Sequence, residues 1–526
     1  MRSLVVMLGA VVLLAGTAGL SARQSGLTVR QILEPAPSSW PTYNGDYSGR
    51  RFSALTKITD RNVRHLSLAW LYDLPSSGGG TVKGTPLLVD GVLYFTTPDH
   101  AYAVEARTGR PVWHYTWTRN RGGIHIGNRG AAILGDTIYF VTPDCNLVAL
   151  DVKTGQERWF KEYCALEMMY YGSVAPVVVK DRLIVGVSGD DLDVPAYLDA
   201  RNPATGDLIW RWYVTPQDIG DPGLESWPNL DMAKHGGGMT WQPITYDPEL
   251  NLIYVTTGNP QPVVAFKNRE GANLYTASVV ALDADTGRMA WYFQTSPHDT
   301  HDWDSTQPPV LFDAPFDGQP RKLLGIAARN GHFFVLDRTT GRALVSAEYV
   351  RTNWSLGYDE KGQPVQNPAK RPQIAGALVT PNQGGATNWY PASFSPATGL
   401  FYVTANRAFS IWYIYDASDN PMGWGGTDRG GYAEQGQIKA IDYRTGRVRW
   451  SVPRYGGNAG LLSTAGNVLF GSGANGIAAF NATTGEPLWE SRVGGLTNGP
   501  ITYELDGRQY VVAGVGTRIA AFVLNE

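Results

Sequence analysis

One pattern of apolar and polar positions recurs along the chain: an aliphatic run, then Asp or Asn (Glu105 in one copy), a short turn containing Thr-Gly, and Trp four residues after the Gly. It occurs as AVEARTGRPVW ending at Trp113, ALDVKTGQERW at Trp159, DARNPATGDLIW at Trp210, ALDADTGRMAW at Trp291, AIDYRTGRVRW at Trp450 and AFNATTGEPLW at Trp489. A further copy, VLDRTTGRALV, carries Val345 in place of Trp, and LSLAW ending at Trp70 is a degenerate copy without the turn. Each copy predicts a β-hairpin. Aliphatic and β-branched residues alternate up to the turn, Thr-Gly makes the reversal because Gly takes positive φ without a Cβ clash, and the second strand ends in a large aromatic anchor. Such a hairpin cannot bury both faces alone, so consecutive copies must stack.

Successive anchors lie 43, 46, 51, 81, 54, 105 and 39 residues apart along the chain. The short intervals match one four-stranded propeller blade of ~40 to 50 residues, and the long ones imply blades carrying insertions. Eight anchor positions predict an all-β, eight-bladed β-propeller with Trp-docking repeats, occupying residues 23–526 as a single domain. The closing segment GRQYVVAGVGTRIAAFVL pairs with strands near the N-terminus to shut the ring and remove exposed edges. Two separate β-sandwiches, the alternative, leave the repeated Thr-Gly-x-x-x-Trp unexplained.

Composition supports a folded, turn-rich protein. Of 526 residues, 61 are Gly, 33 Pro and 17 Trp, and 43 % are hydrophobic, which excludes disorder as the main state. Charged residues are 17 %, below the usual ~25 %. Forty-four basic residues stand against 47 acidic ones without a long run of like charge, so nucleic acid is not an expected partner. Arg2, the apolar run from Leu4 to Leu14 and the small residues Ala15, Gly16, Ala18, Ser21 and Ala22 have the layout of a secretory signal over residues 1–22. An uncleaved membrane anchor is the alternative. No later stretch approaches ~18 uninterrupted apolar residues, so no integral membrane segment is expected in the mature chain.

The two cysteines, Cys145 and Cys164, flank the Thr154-Gly155 turn symmetrically and would face each other in an antiparallel hairpin. After export this predicts a cross-strand disulfide that staples one blade, with a pair of buried free thiols as the alternative. Neither cysteine sits in a C-x-x-C-H arrangement, so the chain carries no c-type haem motif.

Candidate chemistry lies between the hairpins. The densest polar string is His298-Asp299-Thr300-His301-Asp302-Trp303-Asp304, which fits a metal-binding loop, a general-base site or a solvated turn; spacing does not choose among them. Other unusual strings are GNRGAA around Arg129, SGDDLDVP from Ser188, GGGMTW ending at Trp241, TTGNP containing Asn259, ARNGHFFVLDR containing Arg329 and GGATNWYP containing Asn388. Together they supply arginines for anionic groups, carboxylates and Asn259 as hard oxygen ligands, and Trp241 as a flat stacking surface. That inventory fits a planar polyanionic ligand beside a calcium-like ion.

These strings resemble the quinoprotein alcohol dehydrogenases of the methanol/ethanol dehydrogenase type. The resemblance runs from WPTYNGDYSGRRFSAL at Trp40 to the C-terminus and is most specific in the Trp repeats, in NLYTASVVALDADTG and in HDTHDWDST. It implies an eight-bladed propeller binding pyrroloquinoline quinone (PQQ) and Ca²⁺ and oxidising an alcohol to an aldehyde or ketone. By this resemblance Asp304 is the base beside the metal, with Asn259 and Asp191 as further metal ligands. Trp241 forms the floor beneath PQQ, Arg129 and Arg329 contact its oxygens or carboxylates, with Arg329 also stabilising charge during reaction, and Ser173, Ser188 and Asn388 add polar contacts.

Several positions depart from the family pattern. Asp191 stands where the family has a metal-binding Glu, with Asp190 and Asp193 close enough to substitute. Lys83 stands where a cofactor-contacting Glu is common, Gly123 and Ile124 stand in place of the adjacent cysteines before the NRG string, and Asn458 occupies a position often held by Trp. Thr306 is not the extra Asp of lanthanide-using relatives, which favours Ca²⁺. The absent haem motif implies a separate soluble cytochrome c as electron acceptor, and the leader implies the periplasm. A quinoprotein acting on sugars or aldehydes, and a non-catalytic scaffold propeller of the cell envelope, are the alternatives.

Overall fold

Wherever the Thr-Gly turn occurs, the backbone reverses through a glycine in the left-handed region: Gly109, Gly155, Gly206, Gly287, Gly341, Gly446 and Gly485 have φ between 67° and 80°. The preceding Asp or Asn closes the turn with its side chain. Asp151 Oδ1 accepts from the amides of Lys153 (3.0 Å) and Thr154 (2.9 Å), and Asn481 Oδ1 does the same for Thr483 and Thr484 (3.0 Å each). The computed structural model describes residues 26–76, 80–123, 126–189, 193–305, 307–415 and 423–525; the expected leader lies outside them.

Two details of the hairpin differ from the sequence expectation. The strand before the turn does not alternate: His100–Glu105, Asn146–Asp151 and Ser278–Asp283 are each buried at five of their six positions. Apolar side chains leave both faces of these strands because other sheets cover both faces. Alternation appears in outer strands of the hairpins such as Pro111–Thr116. The Trp also sits inside that outer strand rather than at its end, as Trp113 does in Pro111–Thr116 and Trp159 in Glu157–Glu162.

Among the described residues the strands form eight antiparallel four-stranded sheets, one of them extended by Phe52–Ser53 pairing in parallel with Leu462–Thr464, besides two smaller sheets. One sheet joins the ends of the chain. Leu66–Asp73 pairs antiparallel with Arg518–Leu524, from Leu66 opposite Leu524 to Asp73 opposite Arg518. The core under this seam draws Trp70 and Leu93 together with Phe470, Tyr503 and Phe522.

Between consecutive sheets, Trp70, Trp113, Trp159, Trp210, Trp291 and Trp450 each pack on the turn glycine of the next hairpin. A Cβ on Gly109 would stand 2.5 Å from the Trp70 ring; on Gly155, 2.6 Å from Trp113; on Gly287, 2.6 Å from Trp210; on Gly341, 2.5 Å from Trp291. The indoles also donate to the neighbouring backbone, as Trp70 does to Ala106 O (3.1 Å) and Trp489 to Leu66 O (3.1 Å). In the copy that lacks Trp, Gly446 meets Val345 and Ala347 instead.

Insertions account for the long anchor spacings. Between Val345 and Trp450 lie the hairpin of Ser355–Tyr358 with Pro364–Gln366 and the three-stranded sheet of Ala377–Val379, Ala408–Ile414 and Gly426–Ala433. Cys145 and Cys164 form a disulfide across the open end of the Asn146–Asp151 and Glu157–Glu162 hairpin, as expected. Among the described residues no helix is long and apolar enough to cross a membrane.

Candidate active site

The inserted strands position the densest polar string. Trp303 is buried with Trp354 (ring centroids 5.0 Å apart) and stacks on His301 (4.4 Å), and its indole donates to Asn382 O (3.0 Å). Val379, Ala377 and Trp412 complete this cluster. Burial pushes His298 and His301 down to about 3, so both are neutral near pH 7. His298 Nδ1 lies 2.7 Å from Gly271 O and His301 Nε2 3.0 Å from Lys370 O. Asp299 accepts from the Trp303 amide (2.9 Å), and burial pushes its carboxyl up to about 6. The first half of the string is therefore scaffold, and the backbone then turns Asp302 and Asp304 into a cavity.

That cavity has a volume of ≈ 280 Å³ and two chemically distinct ends, joined by Trp241. At one end Trp241 Nε1–H donates to Asp304 Oδ2 (2.8 Å), while the amide of Asn259 donates to Asp304 Oδ1 (2.7 Å). Arg329 lies between two carboxylates, its Nη2 3.0 Å from Asp302 Oδ2 and its Nη1 3.6 Å from Asp304 Oδ2. Its Nη2 also donates to Gln383 O (2.7 Å), and the Gln383 amide donates to Asp302. Burial pushes the Asp304 carboxyl up, opposed by the charge of Arg329 and by the Asn259 and Trp241 N–H donors. At the other end the Arg129 guanidinium stands 4.3 Å from the Trp241 ring centroid and 5.6 Å from that of Trp389.

Of the residues singled out in the sequence, Arg129, Trp241, Asp304, Arg329 and Asn388 line this one cavity, and Asn259 adjoins it through Asp304. Ser173 and Ser188 stand behind it. Ser173 Oγ accepts from Arg129 Nη1 (2.6 Å) and lies 2.7 Å from Ser188 Oγ, so these hydroxyls hold the arginine and do not line the cavity. Asp190, Asp191 and Thr306 lie outside the described residues. The Asp193 carboxylate is 3.6 Å from His235 Nδ1. Asp302, Gln383 and Trp389 also line the cavity and were not singled out. Asp302 was visible only as one acid in an acid-rich string, whereas Gln383 and Trp389 carried no signal of their own.

The donor set suits a planar polyanion beside a hard divalent cation: a buried flat indole, one guanidinium over its ring and another beside Asp304, and a buried Asp304 carboxylate that accepts from the Asn259 amide. Among the described residues no three His, Cys, Asp or Glu converge as a complete metal set.

Residues 40–373 match the PQQ family model described as glucose/ethanol/alcohol dehydrogenase, beta-propeller domain, and residues 434–524 match a model described as outer membrane protein assembly factor BamB. The chain is 38 % identical over 519 residues to a quinohemoprotein alcohol dehydrogenase of Comamonas testosteroni, covering 91 % of this chain and 72 % of that protein. Its structure is similar to that of the quinohemoprotein alcohol dehydrogenase ADHIIG of Pseudomonas putida, with a TM-score of 0.88 at 32 % identity over 96 % of this chain and 83 % of that one. A europium-containing methanol dehydrogenase superposes with a TM-score of 0.85 at 28 % identity, over 94 % and 99 % of the two chains. The fold is all-β and of the propeller type.

Proposed function

Since the chain belongs to the PQQ-dependent alcohol dehydrogenase family, we propose that it oxidises an alcohol to an aldehyde or ketone at the cavity floored by Trp241, using PQQ and Ca²⁺. The eight sheets are then eight blades, docked by their Trp anchors, in a single domain over residues 23–526. The observation that carries this reading is the placement of one buried carboxylate, Asp304, between a flat aromatic floor and a guanidinium.

When bound, PQQ supplies a two-electron, hydride-accepting quinone and Ca²⁺ the Lewis acid that polarises it. Trp241 offers the face on which the planar group rests, and Arg129 a cation for its carboxylates. Asn259, Asp304 and a carboxylate of the 190–193 segment, Asp191 first among them, would hold the ion. Ser173 and Ser188 fix Arg129, and Asn388 adds a polar contact at the cavity wall. Asp304 takes the alcohol's hydroxyl proton. Its Trp241 and Asn259 donors keep it aimed while Arg329 opposes the negative charge that develops. Burial excludes water and strengthens both effects.

In this reading electrons leave to a separate soluble cytochrome c. The Cys145–Cys164 disulfide suits the periplasm, to which the signal over residues 1–22 would send the chain. The test is dye reduction by the purified protein over a panel of alcohols, sugars and aldehydes, with PQQ and CaCl₂ each omitted in turn. Turnover with alcohols that needs both additions is expected. Turnover that ignores either one contradicts the assignment, and preference for sugars or aldehydes redirects it.

A further inference from the structure

The mouth of the cavity carries an ammonium that the proposed reaction leaves unused. Lys83 is half-buried and lines the cavity beside Gly127 and Arg129. Its Nζ donates to the Ile126 carbonyl, a neutral acceptor and its one hydrogen-bond partner among the described residues. Two of its three donors therefore have no protein partner there. Among the described residues no opposite charge balances it: burial, and then the like charge of Arg129, push the ammonium's pKa down.

Lys83 is also seated rather than loose. A Cβ on Gly127 would stand 2.6 Å from Lys83 Cδ, so the backbone at that position, with φ of 138°, is given over to the lysine stem. The charges along the cavity are segregated as well. Its described acidic lining, Asp302 and Asp304, pairs with Arg329 where the Trp241 indole N–H meets Asp304, whereas Lys83 lies with Arg129, whose guanidinium covers the Trp241 ring.

We propose that Lys83 is a carboxylate-binding residue at the cavity mouth, its two remaining donors holding an acid group of whatever molecule lies on Trp241. Two sources offer the same chemistry. One is an outer carboxylate of the polyacid quinone, in which case the inference rests on the proposed function. The other is the acid group of a substrate such as an ω-hydroxy acid.

The experiment uses full-length protein with Lys83→Met, which keeps the length and loses the charge, and Lys83→Arg, which keeps the charge. Calorimetry measures benzene tricarboxylate binding to the cofactor-free protein, and tryptophan quenching measures PQQ binding in CaCl₂. Kinetics on the PQQ-loaded enzyme give the ratio of kcat/KM for an ω-hydroxy acid to that for the matching primary alcohol. Lys83→Met is expected to weaken the tricarboxylate about tenfold, the low end for a lost charge-assisted hydrogen bond, and Lys83→Arg to restore most of it. An equal loss in PQQ affinity with an unchanged kinetic ratio assigns the carboxylate to the cofactor; a tenfold fall in the ratio with unchanged PQQ affinity assigns it to the substrate. Lys83-dependent tricarboxylate binding in a protein that does not bind PQQ supports Lys83 and overturns the proposed function. If none of the three quantities depends on Lys83, the assignment is wrong.

Discussion

Replacing Arg329 by Met removes the cation between two buried carboxylates. The side chains of Arg329, Asp302 and Asp304 are 6 %, 10 % and 3 % exposed, with nitrogen–oxygen separations of 3.0 and 3.6 Å. Removing one partner of a buried ion pair costs about 3 to 5 kcal/mol, because the charge left behind has neither water nor a counter-charge. Here the carboxylates keep other donors, Gln383 on Asp302 and Trp241 with Asn259 on Asp304, which places the cost near the lower figure, about 3 kcal/mol. Adding Asp302→Asn removes one stranded charge and should recover about 1 to 2 kcal/mol, a coupling of the size expected for residues in contact. The assay is urea unfolding in EDTA, followed by tryptophan fluorescence and far-ultraviolet circular dichroism and used where the two transitions coincide. A cost below about 1 kcal/mol for Arg329→Met, or a double variant no more stable than the single one, would refute this account of the pair.

Gly287→Ala should destabilise by at least about 1.5 kcal/mol more than Gly318→Ala in urea midpoints, since both have positive φ but only Gly287 lies against a Trp ring; equal losses would remove the docking argument. Cys145→Ser with Cys164→Ser should lose about 3 kcal/mol, the loop-closure value for a crosslink spanning 19 residues, and the wild type should lose the same on reduction. His332 is held neutral, its pKa pushed by burial to about 3, below its unfolded value. Its contribution is therefore fully present above pH ~6.5 and lost as pH falls from there towards 3. Between pH 7.5 and 5, His332→Phe should lose about 2 kcal/mol less stability than wild type, and an unchanged pH dependence would show that His332 is protonated when folded.

The repeat was legible because a turn that requires positive φ and an indole that packs on that glycine leave the same two letters in each copy. Where Trp is missing, at Val345, the turn at Gly341 still marks the hairpin. What covers a strand is not written in the strand, so the two-sided burial of Ser278–Asp283 could not be read from it. The site was legible residue by residue but not in its pairings. Trp241 and Asp304 are 63 positions apart, and the sheet running from Thr245–Asp247 to Met289–Gln294 folds between them to bring the indole to the carboxylate. Asp302 escaped notice because a run of acids does not say which of them turns inward; the buried neighbours Trp303 and His301 decide that.

PQQ-loaded protein with Ca²⁺, mixed anaerobically with an alcohol and no acceptor, reports directly on the cavity through the quinone absorbance. The expected result is bleaching of one quinone per site in the wild type. In Asp304→Asn the same absorbance should be loaded but bleached at least about 100-fold more slowly, the low end of what a positioned base contributes. A variant that bleaches as fast as wild type, or a wild type that takes up no quinone, would contradict it.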